Sequence, residues 1–278
     1  MPTIHLSDRA VISVAGPEAE SFLQNIITTD LSSLAPGKAR PGALLTPQGK
    51  ILFDFIVSRA GEDSFRIDFR KDVTDDLVKR LMLYRLRAKA QISVEDQEHV
   101  TVSWENDSAG DGVADERFPQ SLNVRRLYGP PPAASDERSL WERLRIVHGV
   151  AESGTDYALG DAFPHDVLFD QNAGVGLKKG CYVGQEVVSR MQHRGTARRR
   201  LVIVRADSPL PPPGTAVSAD GRAAGSLGTV EGQDGLAIVR VDRVAEANAR
   251  AAPITAGDVP VSLSVPAYAG FSLNGETA

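Results

Sequence analysis

The 278-residue sequence contains a single cysteine, Cys181. No internal disulfide can form, so nothing points to an oxidising compartment, and a reducing cytoplasm is the expected setting. Neither sign of charge dominates: 31 Lys and Arg oppose 36 Asp and Glu, for a net −5. That mild acidity gives no basis for broad attraction to nucleic acid or to an anionic membrane. No run of about 18 apolar residues occurs, so no transmembrane helix is expected. The opening MPTIHLSDRAVISVAG lacks a basic stretch followed by an apolar one, and no signal peptide or organelle presequence is visible. The five histidines are scattered and, with one cysteine, match no closed zinc spacing. Internal repeats and coiled-coil heptads are missing too.

What is present is the composition of a soluble globular chain, 42% hydrophobic and 24% charged, long enough for about two domains. Residues 10–16 read as a strand ending at Gly16. Residues 17–28 read as a helix with Pro17 in its first turn and Phe22, Leu23, Ile26 and Ile27 as its apolar stripe. The stretch 42–61 reads as a hairpin turning at TPQGK, with Asp54 inside its second strand. In residues 64–70, Phe65, Ile67 and Phe69 alternate with Arg66, Asp68 and Arg70, which predicts one buried and one wet face. Residues 74–90 predict a helix capped by Thr74, with Leu77, Leu81, Tyr84 and Ala88 buried. Two further strands follow, then polar breaks at 107–116 and 127–137, then a helix over 139–149 closed by Gly149. From Leu201 onward, short strands and Gly/Pro turns predict a small all-β module. The domain boundary falls at the basic run 198–200, giving a body over 1–197 and a module over 198–278. Helices and strands without a βαβ rhythm predict an α+β fold.

Cys181 lies in LKKGCYVGQE, residues 177–186. Neighbouring lysines favour the thiolate, the reactive form. Gly180 and Gly184 permit a tight backbone path or close approach of a ligand, and Gln185 and Glu186 add polar groups. A buried, inert thiol remains the plain alternative. A nucleophilic pairing would need a base; His193 is near along the chain, but no motif links it to Cys181. One thiolate could hold an iron–sulfur cluster only with help from a partner or a second copy. Downstream, Arg190, Arg194, Arg198, Arg199 and Arg200 crowd together. They read either as a solvated strand edge or hinge, or as an anion site; without interleaved aromatics, RNA binding is weakly supported.

The stretch KKGCYVGQEVVSRMQHRGTARRRL resembles the signature of the YgfZ family, with its Lys-Gly-Cys-Tyr-x-Gly-Gln-Glu core. The upstream run from Arg145 to Cys181, the segments FLQNIITTDL and ALLTPQGKILFDFIV, and the C-terminal AAGSLGTV and GLAIVRVDR also resemble that family. They are more distantly similar to the T-protein of the glycine cleavage system. The resemblance implies a ring-like body of intertwined α+β subdomains with a small C-terminal β-barrel. It implies tetrahydrofolate as ligand and a role in assembling or repairing iron–sulfur clusters, of the 4Fe–4S type, in client enzymes. Iron–sulfur assembly proteins and those clients are the implied partners, and Cys181 could transiently hold iron or a cluster. Cys181 is the implied key thiol, tuned by Lys179, with Tyr182, Gly184, Gln185 and Glu186 shaping its loop. The implied folate contacts are Asp166, standing where the family has Glu, with Asp54, Arg145 and Arg194. The alternative is a folate-dependent aminomethyltransferase or demethylase. The T-protein relatives carry paired acids in the strand where this chain has Phe53 and Asp54.

Overall fold

A computed structural model describes residues 2–105, 112–130 and 137–274. The chain forms two compact units, Met1–Arg138 with Asn172–Gln185, and Ser139–Gln171 with Glu186–Ala278. It therefore passes from one unit to the other three times.

The first unit is built on a nine-stranded sheet. Its strands are β1 (Thr3–His5), β2 (Arg9–Ala15), β3 (Lys38–Leu45), β4 (Ile51–Gly61), β5 (Ser64–Arg70), β6 (Gln91–Val94), β7 (His99–Ser103), β8 (Val113–Asp115) and β9 (Arg125–Gly129). Their spatial order is β1-β7-β9-β8-β3-β4-β5-β2-β6. The pairings are antiparallel except β3 with β8. The TPQGK turn joins β3 to β4 as expected, and Phe65, Ile67 and Phe69 are fully buried. Asp68 is not wet as alternation predicts: it is fully buried. β5 lies between β4 and β2, and Asp68 stands opposite Ile56 and Val11, both buried, so that face of the sheet is covered as well. Its carboxylate is neutralised by Arg9, whose Nε donates at 2.7 Å, and by Arg126, whose Nε donates at 2.7 Å. Arg126 also bonds Asp115 at 3.1 Å, and Arg117 donates to both Asp115 oxygens. Burial pushes the Asp115 carboxyl up, but Arg117 and Arg126 outweigh it and hold it below the usual range.

Helix α1 (Ala19–Gln24) is shorter than the 17–28 expected, and α2 (Thr74–Arg85) is shorter than 74–90. α2 stops because Leu86 takes φ 45°, outside the helical region. Thr74 is its first residue and not a side-chain cap; Leu77 and Leu81 are its buried pair. Within the break expected at 107–116, Val113–Asp115 form β8, and β9 occupies 125–129; residues 107–111 and 131–136 lie outside the described residues.

The second unit holds α3 (Arg138–His148), which ends at Gly149 with φ +63°, and α4 (Gln185–Arg194), which ends at Gly195 with φ +58°. α4 corrects the reading of the arginine run as a strand edge: its first half is helical. The C-terminal module has strands β10 (Arg199–Arg205), β11 (Ala216–Ala219), β12 (Arg222–Glu231), β13 (Asp234–Arg240), β14 (Ile254–Ala256), β15 (Val259–Pro260) and β16 (Ser262–Ser264). They order as β15-β14-β11-β12-β13-β10-β16, all antiparallel. The two edge strands are joined through Val261 alone, so the sheet curls into a nearly closed barrel around Val202, Val204, Leu227 and Val239. Helix α5 (Val241–Ala249), which an all-β reading does not contain, packs Val244 and Ala247 inward. The architecture is α+β with a C-terminal β-barrel.

Candidate functional site

Cys181 is exposed, so the buried, inert reading of this thiol does not hold. The loop that carries it is fastened on both sides. Upstream, Gly176 donates its N–H to the Thr28 carbonyl at 2.8 Å, and the Thr28 hydroxyl donates to the Gly174 carbonyl at 2.7 Å. Two residues before the thiol, Lys179 Nζ donates to the carbonyls of Ile27 and Thr29, each at 2.8 Å. The same ammonium lies 5.2 Å from the centre of the Tyr182 ring, a cation–π contact. Tyr182 is buried, and burial pushes its hydroxyl up to about 12. Burial likewise lowers Lys179 to about 8, partly offset by Asp30.

Downstream, Gly184 has φ +78°, and a Cβ there would lie 2.5 Å from the Thr46 carbonyl oxygen. Only glycine fits against the β3–β4 turn at that point. Gly180 differs: a Cβ would meet nothing within 4 Å. The thiol thus projects from an open position on a backbone held at Gly176, Lys179, Tyr182 and Gly184. The ammonium expected to tune the thiol is held by two carbonyls; geometrically, Lys179 anchors the loop. Its partners lie in FLQNIITTDL, a stretch the family resemblance marks but whose link to Cys181 no local pattern reveals.

Gln185 and Glu186 open α4. Glu186 pairs with Arg190 one turn on at 2.6 Å, and both are exposed. Arg194 is exposed in the last turn, where a cation suits the helix dipole.

The acidic residues expected to meet folate lie in different units. Asp54, on β4, is half-buried, and its carboxylate has no hydrogen-bond partner among the described residues. Its neighbour Phe53 is buried in the core. Asp166, in the second unit, is 2% exposed and accepts the Phe163 N–H at 3.0 Å, with Arg199 Nε 3.8 Å away. Burial raises it to about 6, against the pull of the Phe163 N–H and Arg199. Beside it, His165 is fully buried; Nε2 shares a 3.1 Å hydrogen bond with Gln192, and burial lowers its pKa. Arg200 bonds the His165 carbonyl and both Asp170 oxygens.

Arg145 has its N–H donors taken up within its own unit. Its five N–H donors go to Glu142, Asp156, Thr229 and the Val150 carbonyl, and it is 1% exposed. The expected folate contact is therefore a buried structural cation. Among the described residues, no three His, Cys, Asp or Glu side chains are grouped to hold a metal.

Comparison with known proteins fits this architecture. Residues 3–103 match the family model of the GCVT N-terminal domain, and residues 198–271 match that of the CAF17 C-terminal beta-barrel domain. The structure resembles the crystal structure of glycine cleavage system aminomethyltransferase T from Bartonella henselae. The TM-score is 0.69 at 16% identity, covering 95% of this chain and 84% of that one, a likeness of fold. The iron-sulfur cluster assembly factor IBA57 homolog, mitochondrial, of Coccidioides immitis is 27% identical over 99% of this chain and 84% of its own length. The mitochondrial iron-sulfur cluster assembly factor IBA57 of Mus musculus is 30% identical over 86% of this chain and 77% of its own length. Relatives that are mitochondrial by name overturn the expectation of a cytoplasmic protein. By the extent of these matches, the chain belongs to the IBA57 family, built on a GCVT-type domain and a CAF17-type barrel.

Proposed function

We propose that this protein binds a reduced folate and uses the Cys181 thiol to support assembly or repair of iron–sulfur clusters, of the 4Fe–4S type, in client enzymes. The observation that carries the reading is the exposure of the chain's one thiol on a loop pinned at four points. A thiol kept for packing would be buried, and a mobile surface cysteine would not have its backbone held in this way. The relatives are named iron–sulfur cluster assembly factors, and the Cys181 loop is similar to the motif of the bacterial YgfZ proteins. One thiolate supplies one of the four ligands a cluster needs, so the remaining ligands come from a partner or the client.

For tetrahydrofolate, the chemistry of the two acids fits. Asp54 is a half-buried carboxylate with open acceptor capacity, and Asp166 uses one oxygen on the Phe163 N–H. Either can accept the paired N–H groups of a pterin. Arg194 is an exposed cation suited to the anionic glutamyl tail; Arg145 has no donor to offer. Phe53, buried where the T-protein type carries a second acid, argues against aminomethyl transfer.

The test is complementation of a strain lacking the native protein, reading the activity of 4Fe–4S enzymes, with tetrahydrofolate calorimetry under anaerobic conditions on the same variants. Cys181→Ala should fail to restore those activities while still binding tetrahydrofolate. Full restoration by Cys181→Ala removes the thiol from the function. Absence of tetrahydrofolate binding to the unaltered protein removes the folate.

A further inference from the structure

The last turn of α2 turns apolar side chains outward. Met82 is 41% exposed, Leu83 61% and Leu86, just past the helix, 82%. Met82 and Leu83 stand in the last turn and Leu86 is the residue that caps it, so the three exposed side chains are gathered at one end of the helix. Rolling the helix cannot hide them, because Leu77 and Leu81 already bury its other face. Leu86 also adopts φ 45° and ψ −103°, a conformation that costs a residue with a side chain about 1–3 kcal/mol. The fold therefore accepts backbone strain at the large apolar residue it exposes most among those described. Lys79 and Arg80 precede the patch by one turn, and Arg87 and Lys89 follow it along the chain; none has an ion-pair partner among the described residues, and the acids Asp75 and Asp76 lie a further turn back. Residues 79–89 hold five Lys and Arg and no acid, so this stretch is opposite in sign to a chain of net charge −5.

We propose that this turn is a docking surface for a protein partner whose contact face has an apolar centre rimmed by carboxylates. An apolar centre with a charged rim is the anatomy of a protein interface, in which Met and Arg are favoured. Three side chains at one helix end form a compact anchor of the hot-spot kind. They do not make the long apolar face by which an amphipathic helix lies in a bilayer, and the buried face of α2 is unavailable for that purpose. The cations select an acidic rim and speed encounter with it.

The experiment places a photo-crosslinking amino acid at Leu83 of the full chain in its native cells and identifies the cross-linked residue by mass spectrometry. Binding of the purified pair is then measured for the unaltered protein, Leu83→Asp and Leu86→Asp. The expected result is a cross-link to one protein within an apolar, carboxylate-rimmed segment. Each substitution should weaken binding about tenfold or more, corresponding to about 1.4 kcal/mol, and added salt should weaken it further. Because both leucines are exposed, the melting temperature of each variant should stay near that of the unaltered protein, which separates lost docking from lost folding. A cross-link to a second copy of this chain overturns the proposal, as does one to a basic or uncharged surface, or none at all. So does binding to phosphatidylserine-containing vesicles that Leu86→Asp abolishes.

Discussion

Replacing Asp166 by Asn should make the protein more stable at neutral pH and weaken the tetrahydrofolate binding proposed above. The carboxyl is 2% exposed, and burial raises it from the ordinary 3.8 to about 6. At about 1.36 kcal/mol for each tenfold change in proton affinity, keeping that carboxylate ionised in the fold costs about 3 kcal/mol. Between pH 3.8 and about 6 the folded chain holds a proton that the unfolded chain has released. Stability from this group is therefore greatest below that window, falls as pH rises through it, and carries the full cost at pH 7. Asparagine keeps an oxygen for the Phe163 N–H and removes the charge, losing the attraction of Arg199 at 3.8 Å and the weaker one of Arg200. Urea unfolding at pH 5 and pH 7.5 should show Asp166→Asn gaining about 1–3 kcal/mol at the higher pH and less at the lower. A fold that keeps a destabilising charge in place usually does so for function, so calorimetry on the same variant should show weaker folate binding. A variant destabilised at pH 7.5 would refute the electrostatic reasoning. A variant that is stabilised and binds folate undiminished would leave the charge argument standing and remove Asp166 from the folate contacts.

Two further outcomes test the Cys181 loop. Lys179→Met removes both bonds to the Ile27 and Thr29 carbonyls, so alkylation of Cys181 and hydrogen exchange over residues 176–182 should quicken severalfold; an unchanged alkylation rate would show that Lys179 does not hold the loop. Gly184→Ala should cost about 2 kcal/mol or more, because its Cβ meets the Thr46 carbonyl at φ +78°, whereas Gly180→Ala should stay within about 0.5 kcal/mol; equal losses in denaturant titrations would contradict the packing described.

Local pattern carries far where the environment is one-sided. Glycine, proline and alternation locate the β3–β4 hairpin, β5 and the strands of the barrel, because each is bounded by residues whose backbone preferences are intrinsic. It falls short where a second layer covers a face. Asp68 alternates with three buried residues and should be wet; neighbouring strands and the guanidinium groups of Arg9 and Arg126, distant in sequence, bury it. α4 is hard to read because its apolar stripe is only Val187, Val188 and Met191 among charged and amide residues, and of these only Val188 is buried.

One thiol, in a Lys-Gly-Cys-Tyr-x-Gly-Gln-Glu loop within an α+β chain ending in strands, is legible from the amino acids alone, because those are properties of composition and local order. The exposure of Cys181, the anchoring of Lys179 to carbonyls about 150 residues away and the enclosure of Arg145 by acids from its own unit come from the folded chain. Direction and burial of a side chain depend on which distant segments pack against it, and no spacing along the chain encodes that.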